Sequence, residues 1–103
     1  MMTELKELIQ DIQSILESGE DYAREAVKHK HQYPDLASTY ARIAQDDLAH
    51  VDMLHKHAVS MIEEYQRNGK EAPASMKAIW DYAHEQQIEE TADVKRMLDM
   101  YRM

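Results

Sequence analysis

The chain is nearly free of helix breakers: its 103 residues include two glycines, Gly19 and Gly69, and two prolines, Pro34 and Pro73. Between these positions apolar residues recur every three or four places, the spacing that lines one face of an α-helix. A first helix is expected over about residues 3–31, with Thr3 as N-cap and Glu4 at the positive end of the dipole. Its stripe runs Leu5, Leu8, Ile9, Ile12, Ile15, Leu16, then Ala23, Ala26 and Val27. Ser18 and Gly19 interrupt it, and a mid-helix glycine costs roughly 1 kcal/mol against alanine. The stripe resumes in phase, however, which predicts one continuous helix with Gly19 marking the close approach of another backbone.

Pro34 and Asp35 suit the opening turn of a second helix, expected over about 34–67. Its stripe reads Leu36, Tyr40, Ile43, Ala44, Asp47, His50, Val51, Leu54, Ala58, Met61, Ile62, Tyr65. Asn68-Gly69 is a left-handed cap by composition, and "GKEAP" is the single real loop. A third helix, about 73–102, opens at Pro73 and carries Met76, Ile79, Trp80, Ala83, Val94, Met97, Leu98 and Tyr101, with a polar middle. At 1.5 Å per residue these rods reach about 40 to 50 Å, so short connections force them antiparallel. The expectation is an all-α single domain over residues 1–103, three long helices forming a bundle that dimerisation completes.

A net charge of -8 opposes binding to nucleic acid or anionic lipid, which both require a basic surface. The absence of cysteine excludes a disulfide framework, thiolate metal sites and a cysteine nucleophile. No glycine-rich phosphate loop, nucleotide fingerprint or Ser-His-Asp arrangement is present, and no small-molecule substrate is evident. "MMTELKELIQ" places acids early and lacks an apolar run of signal-peptide length, so a cytoplasmic protein is expected, with no membrane partner.

The chemistry concentrates in "IAQDDLAHVDML", residues 43–54. On a wheel at 100° per residue Asp47 falls near the centre of the apolar face and His50 about 60° to one side, while Asp46 and Asp52 point outward. A carboxylate buried alone costs several kcal/mol, so Asp47 requires a partner. One option is a hydrogen-bonded polar cluster of Asp47, His50 and a tyrosine such as Tyr22 or Tyr40. The other is a metal ion, because an acid and a histidine at i and i+3 converge from one helix face.

"SGEDYAREA", a proline turn, and "DLASTYARIAQDDLAHVDML" resemble the first half of the ferritin-like superfamily, of the rubrerythrin and encapsulated-ferritin type, over residues 15–65. The resemblance implies a ferritin-like bundle in which Glu20 matches the lone carboxylate of the first helix, Asp47 the Glu ligand and His50 the His ligand. Asp47 stands where the family carries Glu, and only one helix follows, so the second half of the ligand set is missing. By position Glu90, in the polar middle of the third helix, is a candidate further ligand, with Gln87 and His84 as donors behind it. A second copy of the chain is the alternative source, and a homo-oligomer is expected. The resemblance implies iron, manganese or zinc, and, if the protein is an enzyme, an oxidase or ferroxidase-like activity using oxygen or peroxide. The competing expectation is a metal-free helical oligomerisation or interaction protein in which Asp47 and His50 form a buried polar pair. "AIWDYAHEQQIEE" carries a fainter likeness to small phage and prophage proteins of Gram-positive bacteria.

His29 and His31 close the first helix among lysines, where cations answer the dipole. Of His55 and His57, the wheel turns only His57 toward the face of His50; two turns separate that pair, too far for one ion. Met61, Met76 and Met97 fall on stripes as core filling, whereas Met53 and Met100 point outward.

Overall fold

The computed structural model describes residues 2–68 and 74–103. Helix α1 spans Met2–His29, α2 Pro34–Arg67 and α3 Ala74–Arg102, with no strand among the described residues. The all-α class follows the periodicity, and α1 runs unbroken through Ser18 and Gly19. Its end comes two residues earlier than expected. The ring of Pro34 keeps Tyr33 out of helical geometry, at φ -132° and ψ 69°. The Tyr33 N–H therefore closes the last turn of α1 on the His29 carbonyl at 2.9 Å, and the Tyr33 carbonyl accepts the Ala37 N–H at 2.9 Å to start α2. At the far end of α2 the Asn68 N–H donates to the Glu64 carbonyl at 3.2 Å with Asn68 at φ -77°, and the left-handed position of the expected Asn68-Gly69 cap falls on Gly69. Gly69, the rest of "GKEAP" and the expected helix start at Pro73 lie outside the described residues.

Leu5 packs with Ala58 and Met76 at one end of the bundle, and Ala23 and Ala26 with Ala41, Ala44, Val94 and Leu98 at the other. The order is thus up-down-up: α2 runs antiparallel to α1, and α3 returns parallel to α1. The result is a rod of 57 × 18 × 17 Å with α1 as the helix that packs extensively against both others.

Core-facing positions follow a seven-residue repeat. On α1 they are Leu5, Ile12, Gly19 and Ala26 interleaved with Ile9, Leu16 and Ala23; on α2 they are Ala37, Ala44, Val51 and Ala58 interleaved with Ala41, Leu48, His55 and Ile62. In the upper half this repeat sets Gly19, Ala23 and Ala26 against Ala37, Ala41 and Ala44, six buried small residues. A Cβ built on Gly19 would lie 3.3 Å from the Asp47 Cβ and 3.8 Å from the Ala44 carbonyl oxygen, so another backbone does approach here.

Three apolar layers stack along the rod, and α3 is absent from the middle one. Its fully buried residues are Met76, near Leu5, and Val94 and Leu98, near the alanines. The middle layer is Ile12, Leu16 and Val51 backed by Ile15, Leu48 and Leu54, all from α1 and α2. No helix among the described residues is long and apolar enough to cross a membrane.

Gly19→Leu is expected to destabilise the fold by about 2 kcal/mol, measured by urea denaturation, because the added side chain overpacks a seam that cannot widen locally. Gly19→Ala should change stability by under about 1 kcal/mol, since its gain in helix propensity opposes the tight contact with the Asp47 Cβ.

Candidate functional site

From Met76 to Val94 is 18 residues, about 27 Å of helix at 1.5 Å per residue. Over that length α3 presents Trp80, Ala83, Gln87 and Glu90 to the bundle, none of them fully buried. Small and polar side chains here leave a groove of about 410 Å³ between α1 and α3. Its floor and walls are Ile9, Ile12 and Leu16 of α1 and Ile79, Tyr82 and Ala83 of α3, and Gln86, Gln87 and Glu90 close one end. Tyr82 stands 68% exposed on its rim.

Glu90 is the electrostatic anomaly of the molecule. Its Oε2 is sealed from solvent with no hydrogen-bond partner among the described residues. Burial, and then the charges of Glu20, Glu17 and Asp93, push its carboxyl above the usual carboxylate range. An orphaned acceptor of this kind costs free energy in the ionised form, and the cost is relieved when the carboxyl is protonated or finds a donor.

On the other flank of α3 a ring cluster joins it to α2. Trp80 and His84 stack with ring centroids 5.4 Å apart and planes 7° from parallel. His55 lies 5.1 Å from His84 and 5.5 Å from Trp80. The Gln87 amide donates to His55 Nδ1 at 3.2 Å. His55 occupies a core position of the seven-residue repeat, while His57 is exposed, the reverse of the wheel's assignment.

The four expected metal ligands are distributed around α1. Asp47 is half-buried, and its Oδ2 accepts the Ser18 hydroxyl at 2.9 Å, so its polar partner is a serine and neither His50 nor a tyrosine. His50 is exposed, and the structure does not join it to Asp47 as a buried pair. Tyr22 and Tyr40 instead stack on one another at 5.7 Å, with His29 against Tyr40. Glu20 accepts Arg24 at 2.9 Å. Glu20 and Glu90 are brought within electrostatic reach of one another, and Asp47 lies across α1 beside Ser18 and Gly19. Among the described residues no group of three or more His, Asp or Glu side chains converges as a metal ion requires. Asp46 and Asp52 are exposed surface acids as the wheel placed them, Asp46 facing Arg42 at 3.4 Å.

The misplacement of His50 and His57 has a geometric cause. A straight wheel drifts about 20° per heptad against a seven-residue repeat. Over the length of α2 that error turns the face containing Leu36, Ile43 and His50 toward the core, whereas Leu36 is in fact 42% exposed. The spacing Ala41-Leu48-His55-Ile62 is the signal that locates His55.

Comparison with family models, with curated proteins and with solved structures found no match to this chain.

Glu90→Gln should raise stability at neutral pH, by under about 1 kcal/mol because the site is partly open to screening water. The sign follows from linkage. The native state holds the Glu90 proton more tightly than the unfolded chain, so this residue costs stability above its raised pKa, and the cost disappears as pH falls toward the ordinary value of 4.5. Chemical denaturation of both proteins across this range should show the variant's advantage shrinking on acidification.

Proposed function

We propose that this chain is a helical interaction protein whose α1–α3 groove accepts the apolar face of one further helix, completing a four-helix arrangement. The observation that carries this reading is the middle layer of the core, to which α3 contributes no buried apolar residue. Ile9, Ile79 and Tyr82 remain partly or largely accessible beside it, as apolar surface at helical spacing that a fourth rod would cover. The α3 wall from Ala78 to Glu90 is about 18 Å long, which matches three turns of a guest helix.

The test is selection on the intact chain from a display library of helix-favouring peptides about 16 residues long, a length that spans the groove. Expected are enriched sequences with apolar residues at i, i+3 or i+4, and i+7, whose binding changes the emission of Trp80, the chain's single tryptophan. Tyr82→Glu and Ala83→Arg should each abolish that binding without unfolding the protein. No enrichment, or binding indifferent to both substitutions, rejects the reading.

A second reading, divalent iron, manganese or zinc held through Glu20, Asp47, His50 and Glu90, has support at two of the four, since the charge of Glu20 acts on the orphaned carboxyl of Glu90, and it requires the remaining ligands from a second copy of the chain. It predicts that metal copurifies with untagged protein and that Fe(II), Mn(II) or Zn(II) raises the Tm. Less than roughly a tenth of an equivalent of any of the three, with no thermal shift, removes it.

A further inference from the structure

We propose that the helix taken by the α1–α3 groove is a basic amphipathic helix of a different protein, and that it sets a lysine or arginine against Glu90 at the polar end of the groove. This rests on the groove reading above and adds the chemistry of the partner.

The argument is one of charge complementarity. Glu90 lines the groove and carries a sealed carboxylate oxygen without a partner. Glu17, Glu20 and Asp93 add negative potential around it. Two of these acids already carry a cation, Arg24 lying 2.9 Å from Glu20 and Arg96 2.9 Å from Asp93, so the carboxylate that faces the groove without one is Glu90 itself. No lysine, arginine or histidine is among the residues lining the groove. A second copy joined face to face would therefore bring another Glu90 and no cation, and would add a further charge of -8 to the assembly. A positively charged guest from elsewhere meets an attractive field over its whole approach.

The groove also fixes the guest's register. Along α3 its face is Ile79, Tyr82 with Ala83, Gln86, and then Glu90, which places the carboxylate three turns from the first apolar contact. A guest of matching pitch carries apolar anchors over two turns and its cation about one turn beyond the last of them. A side-chain ammonium or guanidinium there pairs with the Glu90 carboxylate once rotation of that side chain turns an oxygen into the groove, a charge-assisted hydrogen bond.

The experiment compares two synthetic helical peptides that share apolar anchors taken from the library selection and differ only in Lys against Gln at the position one turn past the last anchor. Titrations follow Trp80 emission. On the native chain the Lys peptide is expected to bind about tenfold more tightly, the size of a single charge-assisted hydrogen bond. On Glu90→Gln the two should bind alike, and on Glu90→Lys a Glu peptide should become the preferred ligand. Circular dichroism confirms that each variant is folded. Equal affinity of the two peptides for the native chain, or a preference that survives Glu90→Gln, overturns the basic partner while leaving the groove reading intact. Failure of all peptides to bind overturns both. A self-associated chain that Tyr82→Glu converts to monomer identifies a second copy as the occupant and overturns this inference.

Discussion

The close approach of α1 and α2 governs the rest of the molecule. Gly19, Ala23 and Ala26 meet Ala37, Ala41 and Ala44 with nothing larger between the backbones, and Gly19 is where a single methyl group would already press on Asp47. Alanine and glycine lose almost no rotamer freedom on burial, so this seam forms at little side-chain entropic cost. It also buries little apolar surface per residue, which leaves the larger buried side chains, Leu5, Ile12, Leu16, Val51, Val94 and Leu98, to supply most of the hydrophobic stabilisation. The seam fixes the register of two helices, and the third is added to a pair already defined.

How α3 is added explains both the groove and its polar end. A third helix that filled the middle layer with leucine or isoleucine would close the bundle. Here Gln87 and Glu90 stand at core positions, Gln87 satisfied by His55 and Glu90 left with an orphaned oxygen. The pairing of Gln87 with His55 gives α2 and α3 one specific polar contact between surfaces that pack sparsely. Polar groups at core positions are a known device for setting helix register at some expense of stability. Glu90 Oε2 has no such partner among the described residues.

Much of this was legible in the sequence. The scarcity of glycine and proline and the recurrence of apolar residues define three helices, and the break in apolar pattern between Trp80 and Val94 marks the stretch where the groove opens. Glu90 and Gln87 stand out in that stretch without any structure. The face of α2 was not legible in the same way, because the residues that turn inward in its upper half are alanines, the weakest hydrophobic signal available. Leu36, Ile43 and Leu54 dominate a wheel, and a wheel drifts against a seven-residue repeat. A wheel therefore turns His50 toward the core and His55 away from it, the opposite of their exposure in the fold. The partner of Asp47 was hidden for a different reason: a serine 29 residues away becomes a neighbour only once the helices are docked.

The attachment of α3 has a mechanical side. The helix is anchored by buried Met76 at one end and by buried Val94 and Leu98 at the other, and between them it meets α2 where Trp80, His84 and Gln87 gather on His55. Over that span α3 is thus tied on its α2 flank, through the rings and Gln87, while it contributes no fully buried apolar residue to the side that forms the groove.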